Sequence, residues 1–253
     1  MTYVILIIIA VLLGVLFLQN FLNIVSETNT ITYCCLIISN LFKKHSSCSL
    51  PFFVLRQVAE YFVTHGRNVY IAALDAKKAF DRMHHLKLFN VLSDRNIPFF
   101  IIKIIVNWYS KMFASVRWNG AFSNMLPIKS GVLQCSILSP SLFNLYVDVI
   151  IVALSKAGYG CFVRQISMGC IVDADDIILL SASIVALQEM LNICFHKGKE
   201  LDIIFKNSKL FLFKIGPSYD CCIQNLKLGA ADIVWTRDIK YLGVNFCSDK
   251  NLC

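Results

Sequence analysis

The sequence predicts an α+β fold, a split β-α-β sheet with helices on one face. Three observations carry that expectation. A short apolar run, Val69-Tyr-Ile-Ala-Ala-Leu74, leads directly into an acid, Asp75. Two more apolar runs, Cys170-Ile-Val172 and Ile177-Ile-Leu-Leu180, flank a tight turn of Asp173-Ala-Asp175-Asp176. Stretches with apolar residues at helical spacing lie between and after these strands.

Taken in order, residues 1–26 form an apolar leader, and 4–22 within it has the right length for one membrane-spanning helix or signal anchor. Lys43 and Lys44, the first positive side chains, would leave the bulk of the chain on the cytoplasmic side of such a span. The alternative is an apolar leader upstream of the fold that never enters a bilayer. Residues 27–68 follow as a second segment, and Leu55, Val58, Ala59 and Phe62 give it a helical period. Gly66-Arg-Asn68 is a turn, and the strand into Asp75 opens the third segment, residues 69–253. A helix is expected over residues 83–92. A longer one opens at Pro98 and carries Ile101, Ile105 and Trp108 on its apolar face. Asn119-Gly120 is a hairpin turn, because both residues tolerate the positive φ that a tight hairpin requires. Ser139-Pro140 caps and opens a helix through Leu142, Leu145, Tyr146 and Val149. After the acidic turn come a helix from Ser183 to about Phe195 and a strand near Leu201 to Phe205.

Composition bounds the function classes. Hydrophobic residues make up 57% of the chain and charged residues 16%, but the apolar excess is concentrated in the leader. Beyond Phe42 charges recur, and no run reads as long enough to span a bilayer. The net charge of +8 suits a phosphate-backbone partner, since lysine and arginine gain free energy by displacing condensed counterions. A merely solvated basic surface is the competing explanation. The eleven cysteines include no CxxC pair and no zinc spacing. They are expected to be reduced, in a cytosolic or nuclear compartment.

The chemistry concentrates in two acidic clusters: Asp75 at a strand exit, and Asp175-Asp176 at a hairpin tip. Carboxylates so disposed can hold two hard cations through oxygen. Adjacent acids on a short turn repel, and a divalent cation relieves that repulsion. A simple polar turn is the bland alternative for the acidic pair taken alone.

Several stretches together carry a resemblance. Ala73-Leu-Asp75-Ala-Lys77-Lys78-Ala-Phe80-Asp81-Arg82 resembles the first catalytic motif of non-LTR (LINE-type) retrotransposon reverse transcriptases. Gly131-Val-Leu-Gln134-Cys-Ser-Ile-Leu138-Ser139-Pro140 is similar to their second, and Asp173-Ala-Asp175-Asp176 to their aromatic-Ala-Asp-Asp motif. Lys240-Tyr241-Leu242-Gly243-Val244 resembles the primer grip. The match runs from about Phe42 to Phe246 in family order.

The resemblance implies a polymerase right-hand palm, with residues 27–68 a remnant of the fingers, so partial fingers, and no complete thumb. It implies RNA-directed DNA polymerase chemistry with two ions, Mg²⁺ or Mn²⁺, on Asp75, Asp175 and Asp176. Phe80 would select deoxynucleotides, Gln134 would touch template and nascent pair, and Lys77 and Lys78 would reach the triphosphate. Gly131, Tyr241, Leu242 and Gly243 would face template and primer. Lys206 or Lys209 would serve the leaving pyrophosphate, or both would be surface lysines. The implied partners are an RNA or DNA template-primer and dNTPs; a membrane joins them if residues 4–22 are a span. No oligomeric state is read from the sequence.

Three departures from the family pattern argue against turnover. Asp173 stands where the family has an aromatic, Cys135 stands where it has glycine, and the fourth motif around Phe205 to Leu210 is short. Two other functions therefore stay open: a non-catalytic nucleic-acid-binding remnant, and a membrane-anchored interaction protein on a palm scaffold.

Overall fold

The computed structural model describes residues 49–132, 138–173, 176–206, 209–221, 223–241 and 244–248. The leader at 4–22 and the segment up to residue 48 lie outside the described residues. Two compact units emerge. One holds Met83–Tyr146, and the other the described parts of Thr32–Arg82 and Val147–Cys253.

The second unit is built on a four-stranded antiparallel sheet. Its strands are β1 (Val69–Asp75), β8 (Cys170–Asp173), β9 (Asp176–Ser181) and β10 (Phe211–Ile215), in the order β10-β1-β9-β8. β1 is central, which explains its composition: a strand buried on both faces reads as a continuous apolar run rather than an alternation. Ile71 pairs with Leu180 and Phe213, and Ala73 pairs with Ile178. On that face α1 (Ser49–Thr64) lays down Leu55, Val58, Ala59 and Phe62 in one buried cluster with Ile71, Ile178, Leu180 and Phe213. The side chains in between, Ala72, Leu74, Ile177 and Leu179, point to the opposite face and are buried as well. A helix further along the chain, Ile184–Glu200, contacts β1 and β9. Ser183 caps its start by accepting from the Ala186 amide, and Lys197 and Lys199 complement the negative end of its dipole.

The first unit contains α3 (His85–Asp94), α4 (Phe99–Ser110) and a ribbon of short strands: β2 (Phe113–Ala114), β3 (Arg117–Trp118), β4 (Ala121–Phe122) and β5 (Leu126–Pro127). α2 is the single turn Ala79–Arg82 that ends the second unit's first segment. The ribbon turns at Asn119-Gly120, where φ is +47° and +84°, as a tight hairpin with two left-handed positions demands. α5 (Leu138–Ala157) runs through the boundary between the units.

Four expectations change. The helix expected from Met83 begins at His85, because His84 is extended and bridges to Ser130. Trp108 is not on the buried face of α4. That face is Ile101, Ile102, Ile105 and Tyr109, and Trp108 lies at its flank, half-exposed. No strand spans Leu201 to Phe205. The preceding helix runs on to Glu200, and the Leu201 amide bonds back to its last carbonyls, so only Phe205 bridges, to Ala76. Finally, α5 is long and apolar enough to cross a membrane, although Leu142, Phe143, Tyr146 and Ile150 are buried within the protein.

Ile71 is fully buried at the centre of the sheet. Ile71→Ala is expected to cost about 2–5 kcal/mol, read as a shift in urea midpoint at unchanged slope.

Candidate active site

β1 delivers Asp75 to the end of the sheet, directly opposite Asp176 on β9. Directly opposed residues of an antiparallel pair share a face, so the two carboxylates are neighbours. Asp176 is in turn the register partner of Asp173, and Asp175 lies in the two-residue connection between them, outside the described residues. Asp75 is only 6% exposed, whereas Asp176 is half-buried.

A buried carboxylate must be compensated, and here two ammonium groups do so. Lys206 lies 2.5 Å from Asp75 Oδ1 as an ion pair, and Lys209 donates a hydrogen bond to Oδ2. The contact at Oδ1 is ionic rather than a hydrogen bond of regular geometry. The backbone sets this up: the Lys206 amide donates to the Asp75 carbonyl at 2.8 Å, and the Lys77 amide donates to Ile204 O at 2.6 Å. Segment 204–206 is thereby fastened alongside the end of β1. Burial acts to raise the Asp75 pKa, but the close polar contacts and positive charges of Lys206 and Lys209 outweigh it and hold the carboxyl below its ordinary 3.8.

The donor set fits a hard cation. Asp75 and Asp176 offer only oxygen, the donor such an ion takes, but both Asp75 oxygens are held by ammonium groups that a cation would have to displace. Among the described residues no three His, Cys, Asp or Glu side chains converge on one point, and Asp175 lies outside those residues.

The other expected site residues divide. Lys77 and Lys78 are exposed just past Asp75, with Lys78 at φ +51°, and Phe80 is half-buried in the turn that follows. Tyr241 ends the strand Asp238–Tyr241, which pairs with Val244–Cys247; Leu242 and Gly243 lie between, outside the described residues. Gln134 and Cys135 are also outside them. Gly131, in the other unit, sits at φ +86° and donates its amide to Met83 O at 2.8 Å.

One residue near Gly131 was missed in the sequence. His85 is buried, and its Nε2 lies 2.7 Å from Gly131 O, so this nitrogen carries the proton and donates. Tyr109 packs edge-on against the ring at 4.6 Å, and burial pushes the Tyr109 hydroxyl pKa up to about 12. Burial lowers the His85 pKa from 6.5, and His84 adds repulsion, although the bond to Gly131 opposes both. The adjacent histidines were the available signal, but nothing local distinguishes the buried ring from its half-buried neighbour.

With this geometry established, comparison with known proteins decides the family. Residues 15–246 match the family described as "Reverse transcriptase (RNA-dependent DNA polymerase)". This chain belongs to the reverse transcriptase family. It is 29% identical over 190 residues to the "Retrovirus-related Pol polyprotein from type-2 retrotransposable element R2DM" of Drosophila melanogaster, covering 72% of this chain and 18% of that protein. A type-1 R2 polyprotein of Nasonia vitripennis is 29% identical over 126 residues, 50% of this chain and 12% of that one. The reverse transcriptase is thus of the non-LTR retrotransposon kind, and it spans less than a fifth of these relatives' length. Among solved structures, telomerase from Candida tropicalis with a fragment of telomeric RNA superposes with a TM-score of 0.60 at 12% identity, over 93% of this chain and 36% of that one. At that identity the likeness speaks for the fold alone, an α+β palm.

Two outcomes test the geometry. The Asp75 carboxyl should titrate below 3.8 in an NMR titration, and in Lys206→Ala/Lys209→Ala it should rise above 3.8, because burial alone then acts. An unmoved midpoint would show that the lysines do not hold it. For His85 the folded pKa is depressed, so the neutral ring's contribution is complete above 6.5 and is lost as pH falls towards the folded value. The urea midpoint should therefore drop between about pH 7.5 and about pH 5.5, and that slope should shrink in His85→Gln.

Proposed function

We propose that this reverse transcriptase domain is the palm of an RNA-directed DNA polymerase, with its reaction centre at Asp75, Asp175 and Asp176. The observation that carries the reading is the pairing of Asp75 with Asp176 at the end of a sheet buried on both faces. A rigid sheet fixes the separation of the two carboxylates, which is what a positioned reaction centre requires.

Bound at these carboxylates, Mg²⁺ or Mn²⁺ would supply Lewis acidity for the attacking 3′-hydroxyl and the departing pyrophosphate. The chain's own residues do the rest. Lys77 and Lys78, exposed beside Asp75, offer point charges to triphosphate oxygens. Phe80, half-buried in the turn after Asp75, is the ring assigned to exclude a 2′-hydroxyl. Gln134 and Gly131 are assigned to the template side, and Tyr241, Leu242 and Gly243 to the primer. Lys206 and Lys209, both at Asp75, are the candidates to hold the proton for leaving pyrophosphate. The template-primer and dNTPs are the partners, and the compartment is cytoplasmic or nuclear.

A second reading, a non-catalytic nucleic-acid-binding remnant, is favoured by the same lysines. Asp75 has its charge answered internally, and Asp173 and Cys135 depart from the family pattern.

Primer extension by the full chain on primed RNA with dNTPs and Mg²⁺ or Mn²⁺ separates the two. Extension is expected, and Asp75→Asn or Asp176→Asn should reduce it by about a hundredfold or more, the scale of losing one electrostatic stabiliser of the transition state. Extension no greater than that of Asp175→Asn would overturn the catalytic reading and leave the binding one.

A further inference from the structure

The ribbon of the first unit has features that the carboxylate site does not explain. Its tip exposes Trp118 to 81%, Phe122 to 68% and Val116 to 64%, and its base exposes Met125, Leu126 and Phe113. Scattered exposed apolar residues are ordinary, but six on one short ribbon, with aromatic rings among them, mark a contact element. Charge indicates what kind of contact. From Arg95 to Val147 the sequence holds no Asp or Glu, while Lys103, Lys111, Arg117 and Lys129 are all exposed in the same stretch. Lys111 and Lys129 flank the ribbon's base, where the Ile128 amide bonds to Met112 O, and Arg117 stands next to its tip.

The register decides between an anionic polymer and an anionic lipid surface. Arg117 pairs with Phe122, and Trp118 with Ala121, so the two rings lie on opposite faces of the ribbon. A membrane-surface element collects its apolar side chains on one face and its cations on the other. Here each face carries a ring, which suits a strand that wraps the ribbon or stacks along it. Ala121, small and opposite Trp118, leaves the indole uncovered. The Arg117 guanidinium lies over the Phe122 ring, 5.5 Å from its centroid, so it covers one face of that ring and leaves the other for a base.

We infer that this ribbon is a single-stranded nucleic-acid platform: bases stack on Trp118 and Phe122, and Lys111, Arg117 and Lys129 take the phosphates. The platform needs no metal and works whether or not the carboxylate centre turns over, so it stands apart from the polymerase reading.

The test is fluorescence anisotropy of the full chain with labelled single-stranded RNA and DNA in EDTA. Trp118→Ala/Phe122→Ala should weaken binding about tenfold or more, since base–aromatic stacking is worth ~1–3 kcal/mol per base. Trp118→Phe should restore most of the loss at position 118, which a merely misfolded variant would not allow. Arg117→Gln/Lys129→Gln should reduce the slope of log affinity against log salt by about 1.4, two phosphates' worth on a single strand. An unchanged oligonucleotide affinity in the Trp118→Ala/Phe122→Ala variant would overturn the platform. So would loss of binding to phosphatidylserine vesicles with oligonucleotide binding intact, which would assign the ribbon to a membrane surface.

Discussion

The pairing of β1 with β9 is the constraint on which the rest depends. Six consecutive register pairs run from Tyr70–Ser181 to Asp75–Asp176. Apolar residues buried on both faces fill the interior of that ladder, and the acids come only at its last pair. A one-residue slip would turn Asp75 to the face that carries Leu74 and set an apolar side chain opposite Asp176. The apolar filling therefore fixes the register, and the register places the carboxylates. Burial also creates the electrostatic demand at Asp75 that Lys206 and Lys209 meet.

Those lysines connect the two readings of the site. A carboxylate with low exposure gains a charged partner wherever the fold can supply one, and segment 204–206 is fastened beside it by backbone bonds. The same ammonium groups would hold a proton in the proposed polymerase and, in the binding remnant, would only complete an internal charge balance. In both readings the burial of Asp75 is what calls the two ammonium groups to it.

Much of this was legible in the sequence because its signals are local. The run from Val69 to Leu74 is too short for a buried helix and is flanked by turn residues, so it reads as a strand. Asn119-Gly120 and the Ser183 cap follow from the backbone conformations those residues favour. The misreadings arose where local pattern and long-range bonding compete. His84 leaves its helix for Ser130, and Leu201 stays with the helix rather than joining a ladder. Trp108 matched the helical period yet sits at the flank of the buried stripe, because a period gives the spacing of a face but not its width.

By itself the sequence determined the family, the order of the elements and the identity of the acids, since these depend on residue type and spacing along the chain. Tertiary structure alone decided that Lys206 and Lys209 converge on Asp75 across more than a hundred residues, because neither lysine carries a local mark of its partner. It also decided that His85, rather than His84, is buried against Gly131, and that Trp118 and Phe122 occupy opposite faces of one ribbon. Burial and cross-strand register are properties of packed surfaces, and only the folded chain fixes which side chains meet.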